Sequence, residues 1–188
     1  MVSPFVWLYV YNKTRKINLS NQDKLNLLED ELKQFNQASI KIKYAWFWSA
    51  GSSVPNASAT IPRLILINAE WAKRIVTDTE NSVMHDAFSL TVNHEITHQE
   101  NDFVYFDLFS VDGKFVNWVN EVHADFGGIS KAFTGICNRA IPAMRYKSEC
   151  KRKAHRDSRS HPSWERRMEY VANYDFSEEL IDKIANDC

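Results

Sequence analysis

The pentad His94-Glu95-Ile96-Thr97-His98 constrains this chain more than any other feature, because it lies in a stretch whose apolar residues recur at helical spacing. A helix turns about 100° per residue, so side chains four apart project from one face, one turn apart. His94 and His98 then present two imidazoles side by side, as two corners of a tetrahedral metal site. Glu95 stands beside them, where a carboxylate can accept a proton from a metal-bound water. The fold has to keep this segment helical and bring further ligands to the same face. Chance also produces such pentads, so its meaning depends on what surrounds it.

A catalytic zinc site takes three protein ligands and keeps a fourth position open. Downstream, Glu121-Val122-His123-Ala124-Asp125 sets two carboxylates four apart, on one helix face. Residues 110–114 read as a turn that returns this helix beneath the first. Glu121 is then the candidate third ligand, and Asp125 the acceptor for the outer N–H of a ligating histidine. Trp118, Val119, Val122, Ala124 and Phe126 make the helix mostly apolar, so carboxylates buried in it need a partner. His123 points about 200° away from Glu121 and belongs to another face.

At 188 residues and 21.9 kDa the chain reads as a single domain, 1–188, with 44% hydrophobic residues to build its core. A net charge of -1 gives no global attraction to nucleic acid or membrane, and no nucleic-acid partner is expected. No apolar run approaches the roughly 18 residues of a spanning helix, so a soluble protein is expected. Phe5 to Val10 lacks a basic flank and a cleavage site and reads as a strand. Three cysteines without a C-x-x-C pair read most simply as reduced thiols in a cytoplasmic protein. A Cys137–Cys150 disulfide in a secreted one stays open.

The periodicities predict strands over 4–11, 40–46 and 64–67, the last near an edge because Pro62 precedes it. Residues 49–58 read as a loop. Helices are predicted over Ser20–Gln37, about Glu80–Asn101, Phe115 to about Phe133 with an interruption at Gly127-Gly128, and Ser163–Asn173. Residues 142–163 read as irregular or loosely helical. This order implies an α+β domain, a small sheet above a helical lower half.

H-E-x-x-H followed by E-x-x-x-D resembles the gluzincin metallopeptidases. Three further segments are similar to one family of them, which holds the CAAX prenyl-protein endopeptidases, bacterial heat-shock membrane peptidases and soluble minigluzincins. These are Asn56-Ala57-Ser58-Ala59-Thr60-Ile61-Pro62, Glu121 with Asp125, and His161-Pro162 with Arg167, spread over roughly residues 54–170. The chain departs from that pattern at Arg63-Leu64, where a glycine pair is usual, and at Ser58, usually aromatic in type. It also lacks the transmembrane helices of the larger members, which argues against a membrane-embedded prenyl protease.

The resemblance implies a zincin-like fold, a small mixed sheet over a helical lower subdomain. It further implies Zn2+ held by His94, His98 and Glu121, with Glu95 as general base and then acid. Asn56 and Ala57 would lie on an edge strand to which an extended substrate adds. His161 would sit near the open side of the metal, steadying an oxyanion or taking the water's place in a latent form. Arg167 would anchor an acidic group such as Asp125. The expected activity is hydrolysis of a peptide or protein substrate without a covalent intermediate, so Cys137 and Cys150 are not required as nucleophiles. The rival is a catalytically silent or latent zinc module that binds a partner or regulates one.

Arg145, Lys147, Lys151, Arg152, Lys153, Arg156 and Arg159 face only Glu149 and Asp157 between residues 145 and 159. Such a run reads first as a solvated face, and second as a contact for an acidic partner or a flap over the cleft.

Overall fold

A computed structural model describes residues 44–48, 56–61, 64–68, 71–72, 74–75, 82–101, 113–133, 137–150 and 156–188. They belong to two compact units that divide between Ser82 and Val83. The strand expected over 4–11 and the helix expected over Ser20–Gln37 lie outside the described residues.

The first unit contains β1 (Tyr44–Trp48), β2 (Ala57–Ile61) and β3 (Leu64–Asn68), in the order β1-β3-β2. β3 runs parallel to β1, with Tyr44 opposite Leu64, and antiparallel to β2, with Ala57 opposite Ile67. Ile65, Leu66 and Ile67 are all buried, an unbroken apolar run that suits a strand covered on both faces. The expectation that Leu64–Ile67 lies near an edge is therefore corrected. β3 begins at Leu64, two positions after Pro62 in the sequence, so a proline ahead of the strand does not bar it from being central among the described three. Asn68 ends β3, and its Oδ1 accepts from Trp71 N at 3.1 Å, opening a helical turn that buries Trp71, Ala72 and Ile75.

Among its described residues the second unit has five helices: α1 (Val83–Asn101), α2 (Gly113–Ala132), α3 (Cys137–Cys150), α4 (Trp164–Asn173) and α5 (Glu178–Asp187). Five helices of 10 to 20 residues against three strands of five make the described chain mostly helical. This overturns the α+β, zincin-like expectation of a mixed sheet over a helical subdomain; the described residues are those of a mostly helical protein. The strand signals were short and easily seen, whereas α3 and α5 offered weak ones. The buried face of α3 is Ala140, Ala143, Met144, Lys147 and Ser148, correctly spaced for a helix but hardly apolar. That is why residues 142–150 read as irregular. α5, absent from the sequence reading, has Leu180 and Ile184 one turn apart behind Ser177, with Glu178 and Glu179 in its first turn.

α3 also settles the Cys137–Cys150 disulfide. Its 14 residues separate the two cysteines by about 20 Å along the axis, against the roughly 5–6 Å a disulfide needs. Neither Cys150 nor Cys188 is in a disulfide among the described residues.

α1 is buried nearly all round, through Ala87, Phe88, Leu90, Val92 and Ile96 and through polar Thr91, Asn93 and Thr97. The two threonines satisfy their hydroxyls on their own helix, donating to Ala87 O at 2.6 Å and Asn93 O at 2.9 Å. α2 packs along α1 without the interruption expected at Gly127-Gly128. Glycine in a helix interior costs about 1 kcal/mol relative to alanine, and here it permits close contact. A Cβ on Gly128 would lie 2.9 Å from His94 N and 3.2 Å from Leu90 O, and one on Gly127 would run into the Thr97 side chain.

Behind α2, Trp118 and Val122 form a core with Tyr170, Leu180 and Ile184, all fully buried. Each buried Leu or Ile contributes about 1.5–3 kcal/mol, so α5 is held by apolar contact although its Ser177 cap makes no side-chain bond. Ser163 does cap α4, accepting from Arg166 N at 3.3 Å. No described helix is long and apolar enough to cross a membrane.

Candidate metal centre

His94 and His98 occupy successive turns of α1, with their rings edge to face at 4.6 Å. Their Nε2 atoms are 3.0 Å apart. Glu121, from α2, completes a triangle: Oε2 is 3.6 Å from His94 Nε2, and Oε1 is 3.5 Å from His98 Nε2. Donors about 2.0–2.1 Å from one tetrahedral ion lie about 3.3 Å from each other. The three edges scatter about that value, so these three residues can hold a metal ion. Two imidazole nitrogens and one carboxylate, all largely buried, are donors that suit a cation.

Asp125, one turn after Glu121, is 2% exposed, and its Oδ1 lies 3.0 Å from His94 Nδ1. With Nδ1–H donating to this carboxylate, Nε2 keeps its lone pair for the metal side. Arg167, on α4, donates to both Asp125 oxygens, at 2.7 and 2.5 Å, and its Nη1 lies 3.5 Å from Glu121 Oε2. Burial alone would raise the Asp125 pKa, but the Arg167 charge and the His94 bond bring it down to about 2. Glu121 follows the same logic: burial pushes it up, while His94, His98 and Arg167 hold it well below the usual carboxylate range. Burial works against the Arg167 charge, and the attraction of Asp125 and Glu121 outweighs it. Two carboxylates, Glu121 and Asp125, against the one Arg167 guanidinium leave this group of three with a net negative charge.

Glu95 is half-buried on α1, and its charge is felt by Arg167. His161 comes from the turn before α4. Its Nε2 is 3.2 Å from Glu121 Oε1, its Nδ1 is 2.8 Å from Ser160 Oγ, and its side chain is 55% exposed. It touches one corner of the triangle and is not among the three mutually close donors. The turn itself is pinned. Trp118 Nε1 donates to Ser158 O at 2.8 Å, Ser158 Oγ both donates to His161 O and accepts from His161 N, and Asp157 Oδ1 accepts from Ser163 N.

Asn56 and Ala57 belong to the first unit, at the start of β2, where Ala57 is buried and Asn56 O accepts from Asn68 N at 3.0 Å. His123 packs its ring against Phe176 at 4.8 Å. The basic stretch is not one face: Arg145, Arg156 and Arg159 are exposed, but Lys147 is buried, its Nζ 5.3 Å from the Trp164 ring centroid. Lys151, Arg152 and Lys153 lie outside the described residues.

The sequence reading missed two contributors. Gly128 lets α1 and α2 touch at His94, and the glycine pair itself was the available signal, read as a break. Trp164 holds the Arg167 guanidinium 4.2 Å from its ring centroid, a contact no local pattern announces. No protein-family model, curated protein or solved structure matches this chain, so the functional reading rests on the residues of this centre.

Proposed function

We propose that the chain is a zinc-dependent endopeptidase in which His94, His98 and Glu121 hold the metal and Glu95 serves as general base and then general acid. The observation that carries this reading is the His94–His98–Glu121 triangle, backed by Asp125, with a glutamate directly after the first ligand. Two imidazoles and one carboxylate are a donor set that zinc takes in hydrolases, with one position left open. When bound there, zinc lowers the pKa of its water towards about 7 and polarises the scissile carbonyl. Glu95 receives the proton of the attacking water and delivers it to the leaving amine. Asp125 fixes the His94 tautomer, and Arg167 keeps Asp125 and Glu121 ionised at a buried site. The resemblance of the pentad, of Glu121 with Asp125 and of His161-Pro162 with Arg167 to gluzincin motifs supports peptide hydrolysis over other metal chemistry.

Elemental analysis should find one zinc per chain in wild type and in Glu95→Gln, and none in Glu121→Ala. Cleavage of an unfolded protein substrate should fall about 10²–10⁴-fold in Glu95→Gln. Zinc retained by Glu121→Ala overturns the ligand assignment, and unchanged cleavage by Glu95→Gln overturns the hydrolytic one.

One observation favours a second reading, a latent or regulatory zinc module. His161 Nε2 already lies within 3.2 Å of a metal-side oxygen of Glu121. His161→Ala separates the two: turnover rises if this imidazole blocks the open position, and falls if it assists the substrate.

A further inference from the structure

Arg159 is anchored along α2 beside the metal centre. Asn117 Nδ2 donates to its carbonyl at 3.4 Å, the neighbouring Ser158 carbonyl is held by Trp118, and its Nη2 lies 3.6 Å from where a Cβ on Gly113 would stand. His161, two residues on, reaches Glu121. The turn therefore runs along α2 from Gly113 towards the third ligand. Gly113 and Glu121 are about 12 Å apart along the helix axis, the span of three to four extended residues at about 3.3 Å each.

Arg156 and Arg159 are exposed, and neither forms an ion pair among the described residues. Three other arginines of this unit are engaged: Arg166 with Asp157 and Asp187, Arg167 with Asp125, and Arg139 with Asp86. Asp157, the one carboxylate within this turn, is used up by Arg166 and Ser163 N. Two permanently charged, solvated guanidinium groups are left exposed on this turn, that of Arg159 about 12 Å along α2 from Glu121.

We propose that Arg159, reinforced by Arg156, is a subsite for acidic residues lying three to four positions from the scissile bond of the substrate. This rests on the peptidase reading. An extended peptide whose carbonyl sits at the metal centre reaches Arg159 at that distance, and a carboxylate there gains both charge and the guanidinium fork. Lysine at the same position meets like charge, so the subsite selects as much by repulsion as by attraction.

The test uses full-length Glu95→Gln with labelled decapeptides carrying glutamate, glutamine or lysine at successive positions, read by fluorescence anisotropy. Glutamate should bind about tenfold more tightly than lysine at one or two adjacent positions, with the preference shrinking as salt rises. Arg156→Glu/Arg159→Glu should invert that order, and Arg156→Gln/Arg159→Gln should flatten it, with zinc content at the wild-type level. A glutamate preference that survives both double variants overturns the subsite. So does tighter binding of a single-stranded oligonucleotide of equal charge, which assigns the arginines to nucleic acid. Wild-type cleavage of the same peptides tests the underlying function separately: binding that follows the arginines without any cleavage keeps an acidic-peptide site and removes the peptidase.

Discussion

Arg166 and Arg167 are consecutive residues of α4, about 100° apart on the helix, and they sit in opposite environments. Arg167 is 5% exposed and locked to Asp125, and through it to His94. Arg166 lies at the surface, bonded to Asp157 at 3.0 Å and to Asp187 at 3.0 Å. Both have pKa values raised by their carboxylates. The contacts are alike, yet their consequences differ. Water can replace either partner of Arg166, but nothing in the interior can replace Arg167, so one ion cluster sets the geometry of the candidate metal centre and the other only tethers helix ends.

The sharpest way to break that contrast is Arg167→Ala. Removing one member of a buried pair should cost about 3–5 kcal/mol, read as a large drop in denaturation midpoint together with loss of zinc. A variant that keeps both would show that the cluster is better solvated than its burial implies. Next comes Gly128→Ala. Its new methyl meets α1 backbone that cannot rotate away, so overpacking of about 1–3 kcal/mol should spread the helices at His94 and weaken zinc binding. Competition with a chelator measures it.

Asp125→Asn should lower zinc affinity about 10–100-fold, since a carboxamide no longer stabilises the His94 N–H as a charged acceptor does. Equal affinity would remove Asp125 from the positioning role. Arg166→Ala should cost less than about 1 kcal/mol and leave zinc content unchanged.

The smallest effect is the pH dependence of the surface network. Burial pushes Asp157 and Asp187 upwards, but hydrogen bonds from Arg166 to Asp157, and from Lys183 and Tyr170 to Asp187, hold both carboxyls below their ordinary range. A depressed folded pKa means stability present above the unfolded value of about 3.9, lost as pH falls through the folded one. Wild type should therefore lose part of its advantage over Arg166→Ala below about pH 4. A difference constant from pH 7 to pH 3 would contradict the assignment.

Much of the candidate centre was legible because it depends on periodicity. Four-residue spacing put His94 with His98 and Glu121 with Asp125, and the helix read over Ser163–Asn173 matches α4 to within one residue. The fold class was misread for a related reason. Alternating strands announce themselves in five residues, while α3 shows its buried face in alanines, a lysine and a serine, and α5 in just Leu180 and Ile184. The glycine pair misled as well, since glycine signals a break when seen locally and close packing when a second helix is present.

By itself the sequence determined which side chains share a helix face, since that follows from 3.6 residues per turn and nothing more. Only the tertiary structure decided that Gly128 meets His94, that Arg167 turns inwards to Asp125 while Arg166 turns outwards, that Lys147 is buried, and that β3 is central among the described strands. Those outcomes depend on contacts between residues far apart in the chain, where competition for burial and for charge partners is settled by the whole fold and leaves no local spacing to read.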